Sequence, residues 1–314
     1  RGAGARVMRM QVNVEGAMFY NECNWRSDGP YDAFNACYDA AYAQARNEGW
    51  QRQSAALGSD NPVIDMYIAG ARRLNQAGFH VIVVPTDFFW GGGSNWTNSS
   101  DIPLLHQYLE RDVAFQDFYV RWVNALVARM ASGGVTNFSL QAVNEPRFCG
   151  SGGGTRAWQK LEARIFTAAR EAAPGLHLVS TATCTAADQP LSRGRNYAGL
   201  LRYMPRHDFD NMSYSIHLRN PRLLHLPNHY NLRPGTNVHY PYQRVPESAG
   251  LDDSARTQIE LYNQIRPDAA FYASVFSQIA AAEQRLGRKI VVTEWSVDKP
   301  DYGLPRDERR QRIR

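Results

Sequence analysis

Short runs of aliphatic and β-branched residues alternate along this chain with longer stretches in which apolar positions recur every three or four residues. The first pattern suits buried strands and the second amphipathic helices, so their alternation predicts parallel strands joined by crossover helices. The strand-like runs are ARVMRMQV (5–12), AGFHVIVVP (77–85), TNFSLQAV (136–143), LHLVSTAT (176–183), NMSYSIH (211–217) and KIVVTEW (289–295). Helical spacing covers about 63–76, where Ile64, Tyr67, Ile68, Ala71 and Leu74 make one stripe, and then about 111–130, 155–172, 195–202 and 254–286. A charged helix is expected within 305–314. Between Glu15 and about Asn61 runs a Gly/Asn/Asp/Tyr-rich excursion that reads as a long loop.

Six strands of this kind, several followed by long loops, favour a single α/β domain over 1–314, of the (β/α)8 TIM-barrel type. In that architecture the loops at the C-terminal strand ends form the active face. A dinucleotide-binding sheet is the natural competitor, but its Gly-x-Gly-x-x-Gly turn does not follow the first strand, and the glycines at 91–93 and 151–154 open no phosphate cradle.

Composition narrows the function. At 314 residues, with 44% hydrophobic and 21% charged, the chain has the balance of an ordinary globular protein, too long for a small binding module. No run approaches the roughly 18 apolar residues of a membrane span. The net charge of +5 is dispersed except at the C-terminal RDERRQRIR, where acidic residues intervene, so no nucleic-acid partner is expected. Cys23, Cys37, Cys149 and Cys184 lack zinc or redox spacing, and Cys23 with Cys37 and Cys149 with Cys184 is the favoured pairing of three. Asn-x-Ser/Thr tripeptides begin at Asn95, Asn98, Asn137 and Asn211. The first two, in a polar loop, are the better glycan acceptors; the others sit close to strands. Disulfides and glycans together predict a secreted protein. The opening RGAGARV has neither an initiator Met nor an apolar signal segment, so the chain is expected to have been processed, cut from something larger, or to lack residues ahead of Arg1.

Glu145 in VNEPR and Glu294 in VVTEWS each lie just beyond an apolar strand, which places them at the mouth of a barrel. Two carboxylates there can divide glycosidic cleavage: one protonates the leaving oxygen while the other attacks the anomeric carbon, at the roughly 5 to 5.5 Å separation of a retaining pair. A lone glutamate at either place is more often an ion-pair partner or loop cap; two at corresponding strand ends change that balance. Trp90, Tyr240 and above all Trp295 offer apolar faces for sugar rings. Asp87 and Glu15 are secondary carboxylates suited to binding substrate or stabilising loops. His225, His229 and His239 have Pro227 among them and no matching glutamate pattern, so neither metal nor organic cofactor is expected.

These motifs resemble glycoside hydrolase family 5, retaining (β/α)8 enzymes, over nearly the full chain. VNEPR resembles the Asn-Glu-Pro segment ending strand four, implying that Asn144 contacts a sugar 2-hydroxyl and Glu145 is acid/base. VVTEWS resembles the segment of the strand-seven nucleophile, implying that role for Glu294. SIHLRNP and VMRMQV resemble the strand-six histidine and strand-two arginine segments, implying that His217 lines the site and Arg9 supports the nucleophile. NEPRFC is similar to a segment of the β-mannanases in that family. The chain departs from the pattern at Asp87, where many members have histidine, and at Arg219, where they have tyrosine. On this numbering the first visible strand is strand two, and strands one and eight are missing or altered.

The expected function is therefore a retaining endo-β-glycanase acting on mannan, glucomannan or cellulose. The alternative is an inactive hydrolase-like glycoprotein domain used for carbohydrate binding or assembly, because function resides in the site and not in the scaffold.

Overall fold

The structure, a computed structural model, describes residues 6–23, 31–58, 60–86, 104–146, 154–181, 204–219 and 269–296. The chain divides into two compact units, Arg1–Cys184 with Tyr203–Ser215, and Thr185–Arg202 with Ile216–Arg314.

In the first unit β1 (Val7–Asn13), β2 (His80–Thr86), β3 (Phe138–Gln141), β4 (His177–Thr181) and the opening of β5 (Met212–Arg219) lie side by side in sequence order, all parallel. Among the described residues β1 has no neighbour on its other side. Helices α4 (Pro62–Gln76), α6 (Val113–Ser132) and α7 (Gly154–Ala172) occupy the connections, making an α/β fold with an open parallel sheet. The expected helix at 195–202 and the charged one within 305–314 lie outside the described residues, as do Cys149 and Cys184.

Register explains the layering. Partners in a parallel ladder share a face, so Val83, Leu140, Leu178 and Met212 form one apolar row, all buried. Ser180 is on this face and bonds Glu162 of α7, which identifies it as the helix side. The opposite face is unusually polar: Ser139 registers with His177, Val179 with Ser213, and Thr181 with Ser215. Barrel interiors more often stack Val, Ile and Leu there.

The helices start and stop on recognisable chemistry. Asn61 caps α4 by accepting from the amides of Val63 and Ile64, each at 3.1 Å, with Pro62 supplying the first turn. Asp112 caps α6 by accepting from Phe115 N at 2.9 Å. Along α6, Phe115, Phe118, Tyr119, Trp122, Val123, Leu126, Val127 and Met130 are buried at helical spacing. At Gly133 a Cβ would lie 2.7 Å from Ile68 Cγ2, so glycine lets α4 approach the end of α6.

The 15–61 excursion is largely helical and not the loop its composition predicts. It holds α1 (Val14–Met18), α2 (Tyr31–Asn47) and α3 (Gln51–Ala55). Alanine favours the helix, and Tyr38, Ala41, Tyr42 and Ala45 make an i, i+3, i+4, i+7 stripe that is wholly or nearly buried. Scattered Asn and Asp on the exposed face hide that stripe in the composition. The disulfide Cys23–Cys37 fastens the excursion. Trp50, at φ 60°, packs 4.5 Å from Phe115 and 5.7 Å from Phe118 between ring centroids. That packing offsets the cost of a left-handed backbone at a bulky residue. A further helix, α5 (Leu104–Arg111), adds Tyr108, stacked on Tyr42 at 4.7 Å.

In the second unit the rest of β5 neighbours β6 (Ile290–Ser296), and α8 (Ala269–Leu286) is the described part of the long helix expected at 254–286. Glu283 accepts from Ile290 N at 2.8 Å and pairs with Lys289 at 3.3 Å, joining α8 to β6. The amide of Ile290 is the first cause holding that carboxyl below its usual range.

Glu162 supplies a pH test of the first unit. Its carboxylate is wholly buried, accepting from Ser180 Oγ at 2.7 Å and meeting His207 Nε2 at 2.8 Å. Burial pushes this carboxyl up, outweighing the opposing effects of His207, Ser180 and the Thr181 amide. The folded state therefore holds the proton more tightly than the unfolded chain, so this contribution is full below the ordinary carboxylate value and is lost as pH rises through the raised one. Glu162→Gln mimics the protonated acid at every pH. Its Tm relative to wild type should climb as pH rises above the ordinary carboxylate range, and a flat or falling difference in calorimetry would contradict the linkage.

Candidate active site

The chain just beyond β3 carries the best-defined part of the site. After Gln141 the backbone leaves its ladder with β4, yet Asn144 N still donates to Pro85 O at 2.8 Å, tethering this turn to the end of β2. From the helical side Tyr119 Oη donates to Ala142 O at 2.9 Å. Gln141 Nε2 reaches Val143 O at 3.2 Å. Backbone groups that no longer pair with the sheet are thus fastened by side chains, as buried backbone requires.

On this platform Arg9 of β1 donates from Nη2 to Asn144 Oδ1 at 2.6 Å. Two expected site residues, 135 positions apart, are brought into direct contact. The bond also sets the Asn144 amide: guanidinium only donates, so it takes the oxygen and leaves the NH2 end as the donor directed elsewhere. Glu145 follows at φ 42°, in the left-handed region that residues with a Cβ seldom adopt. It is half-buried, between Asn144, held on both backbone and side chain, and the buried Pro146. Such a conformation costs about 1 to 3 kcal/mol and persists only where its surroundings fix it.

The other expected residues are distributed as follows. His217 lies on β5 and Glu294 and Trp295 on β6, all three in the second unit, with side chains outside the described residues. Asp87, Trp90 and Tyr240 lie outside the described residues altogether, as do the acceptor candidates Asn95 and Asn98. Glu15 is described, and it is buried in the protein interior. Tyr42 Oη donates to its Oε1 at 3.3 Å, and the hydroxyl of Tyr38 is pushed up to about 12 by burial and then by the charge of Glu15. It serves the docking of the excursion, the loop-stabilising role of its two expected ones.

Sequence reasoning missed the supports around Asn144, because the Pro85 carbonyl and the Tyr119 hydroxyl carry no motif. It also missed the Glu162–Ser180–His207 cluster, whose members are separated by 18 and 45 positions. A cavity of about 120 Å³ bounded by Met18, Ile64, Phe118, Trp122 and Leu126 lies among the helices and contains none of the expected site residues. Among the described residues, no group of three or more His, Cys, Asp or Glu could hold a metal ion, and no helix is long and apolar enough to cross a membrane.

No family model matches the chain, and no curated protein does. Solved structures to which it is similar include an endoglucanase, at 11% identity and TM-score 0.41 over 74% of this chain and 70% of that one. An endocellulase from the archaeon Pyrococcus horikoshii is similar at 12% identity and TM-score 0.41, over 77% of this chain and 58% of that one. Endo-glycoceramidase II from Rhodococcus sp. is similar at 12% identity and TM-score 0.43, over 75% of this chain and 53% of that one.

Proposed function

We propose that this chain carries the catalytic site of a secreted (β/α)8 glycoside hydrolase of the family 5 type, cleaving β-linked polysaccharide with retention of configuration. The observation that carries the reading is the Arg9–Asn144 hydrogen bond immediately ahead of Glu145. It gives the Asn-Glu-Pro segment a fixed donor amide beside a carboxyl group on a constrained backbone, at the C-terminal end of a parallel strand.

In the proposed reaction Glu145 gives its proton to the glycosidic oxygen while the Glu294 carboxylate attacks the anomeric carbon. The bond to the leaving sugar breaks and an ester to Glu294 forms. Water then adds to the anomeric carbon, its proton passing to Glu145, and the Glu294 carboxylate is released. Asn144 Nδ2 donates to the sugar hydroxyl next to the reacting carbon, a bond that strengthens as charge develops. Arg9 is a positioning residue acting through Asn144. His217 and Trp295 line the site, and Asp87, Trp90 and Tyr240 contribute to substrate binding. The NEPRFC segment, similar to one in β-mannanases, favours mannan over cellulose. No step requires a metal or organic cofactor.

Release of reducing ends from mannan, glucomannan and cellulose by the secreted protein tests the reading. Glu145→Gln and Glu294→Gln should each abolish it, and proton NMR of the first product formed should show the retained anomer. A well-folded wild type inactive on all three polymers would favour the carbohydrate-binding or assembly role, and an inverted product would replace the double displacement by a single one.

Arg9 and Asn144 should behave as one unit. Arg9→Met and Asn144→Ala are each expected to lower kcat by about 10² to 10³-fold with smaller effects on KM, and the double variant should be little worse than the poorer single one. Additive losses in kcat would show that Arg9 acts independently of Asn144.

A further inference from the structure

Two of the Asn-x-Ser/Thr tripeptides fall within the described structure, and they make the same contact twice. At the start of β2, His80 holds Asn137 Oδ1 at 2.6 Å with Nδ1 and Ser139 Oγ at 2.5 Å with Nε2. At the start of β4, His177 holds Asn211 Oδ1 and Ser213 Oγ with the same two nitrogens, each at 2.9 Å. In both, the histidine opens one strand, the asparagine immediately precedes the next, and the serine is the second residue of that next strand.

The spacing follows from strand geometry. Residues i and i+2 project from the same face about 6.5 Å apart, a span that one imidazole bridges with its two nitrogens. The middle residue points the other way, and Phe138 and Met212 there are apolar; Met212 is buried. The preceding helix reinforces each clamp. Asn75 of α4 accepts from Thr136 N and Asn137 N at 3.0 and 3.1 Å and donates to Asn137 O at 2.9 Å. Arg170 of α7 donates to Asp210 O at 2.6 Å and to Asn211 O at 3.4 Å. Asn211 is committed at both ends of its amide, since Nδ2 donates to Gly175 O at 2.8 Å.

N-glycosylation takes the asparagine amide nitrogen as acceptor and reads the serine hydroxyl beside it, in an open surface segment, whereas the clamp holds that same hydroxyl and the other end of the amide, its Oδ1. Here Ser139 and Ser213 are only 1% and 2% exposed, with their hydroxyls on the histidines. We propose that the tripeptides at 137–139 and 211–213 are a repeated imidazole clamp fastening the starts of adjacent strands, and that neither Asn137 nor Asn211 carries a glycan in the folded protein. A sugar placed on Asn211 Nδ2 before folding would have to fit beside its bond to Gly175 O, and at both sites the serine hydroxyl is sealed once the strands pair.

The full chain, secreted from a eukaryotic host, is treated with peptide N-glycosidase in heavy-oxygen water, which marks each occupied asparagine by its conversion to labelled aspartate. Gly134→Asn serves as control: Gly134 is exposed at φ 81°, which asparagine tolerates, and the change completes an acceptor tripeptide with Val135 and Thr136. Label at the introduced site with none at Asn137 or Asn211 is expected, and label at either of these overturns the proposal. A second arm needs no glycosylating host: Asn211→Ala and His177→Phe should each lower Tm by a few degrees, and the pair by little more than the larger single loss. Fully additive losses would overturn the clamp.

Discussion

A polar side chain sealed inside a sheet must find a partner or weaken the fold by roughly 1 to 3 kcal/mol. The first unit meets this constraint at several places along one face. Where a parallel sheet more often stacks branched aliphatics, this one sets His80, Ser139, His177, Ser213, Thr181 and Ser215, and joins them in pairs across neighbouring strands: histidine to serine near the strand starts, and Thr181 Oγ1 to Ser215 Oγ at 3.1 Å further along. Each bond forms only if the strands are in register. A slip by one residue would turn the whole set toward the helices and bring Leu140 and Leu178 to the polar side. The polar face thus specifies register, a task that interchangeable aliphatic contacts perform less sharply.

The helical side works by a different rule. Its rows are apolar and tolerant, so fixed geometry there comes from a few polar fastenings. Glu162 binds α7 to β4 and to the segment ahead of β5, and Asn61 caps α4 while donating to Ala17 O at 2.7 Å. The excursion adds a third device, an aromatic cluster in which Phe19, Tyr42, Trp50, Phe115 and Phe118 are buried. Its disulfide limits the freedom of a segment whose only route to stability is docking.

The strands and the helices that follow them were legible because they obey one periodicity each. All six strand runs, and the helices at 62–76, 113–132 and 154–172, lie within a few residues of their expected bounds. The helical excursion was not, since Tyr38, Ala41, Tyr42 and Ala45 are embedded among residues that also favour turns. For the site, Arg9 and Asn144 were legible as separate motif members, but not their contact, because nothing in the spacing of two residues 135 positions apart states which group bonds which. The tripeptides at 137 and 211 show the converse: a pattern legible as a modification signal whose spacing is also the period of a strand. Only the neighbouring strand, carrying a histidine at its first position, reveals what the pattern does in the fold.

The two ends of the sheet therefore divide their work. Near the strand starts, the histidine clamps join each pair of strands through side chains, with Asn211 held at φ 45° by bonds to both ends of its amide. At the other end, beyond β3, the ladder is abandoned, Glu145 adopts a left-handed backbone, and Asn144 is held from β1 and β2 at once. A strained turn of this kind does nothing for register; it requires rigid strands beneath it to persist. Bonds that fix register below supply that rigidity, so the polar face and the constrained glutamate are connected parts of one design: the first makes the sheet stiff enough to carry the second.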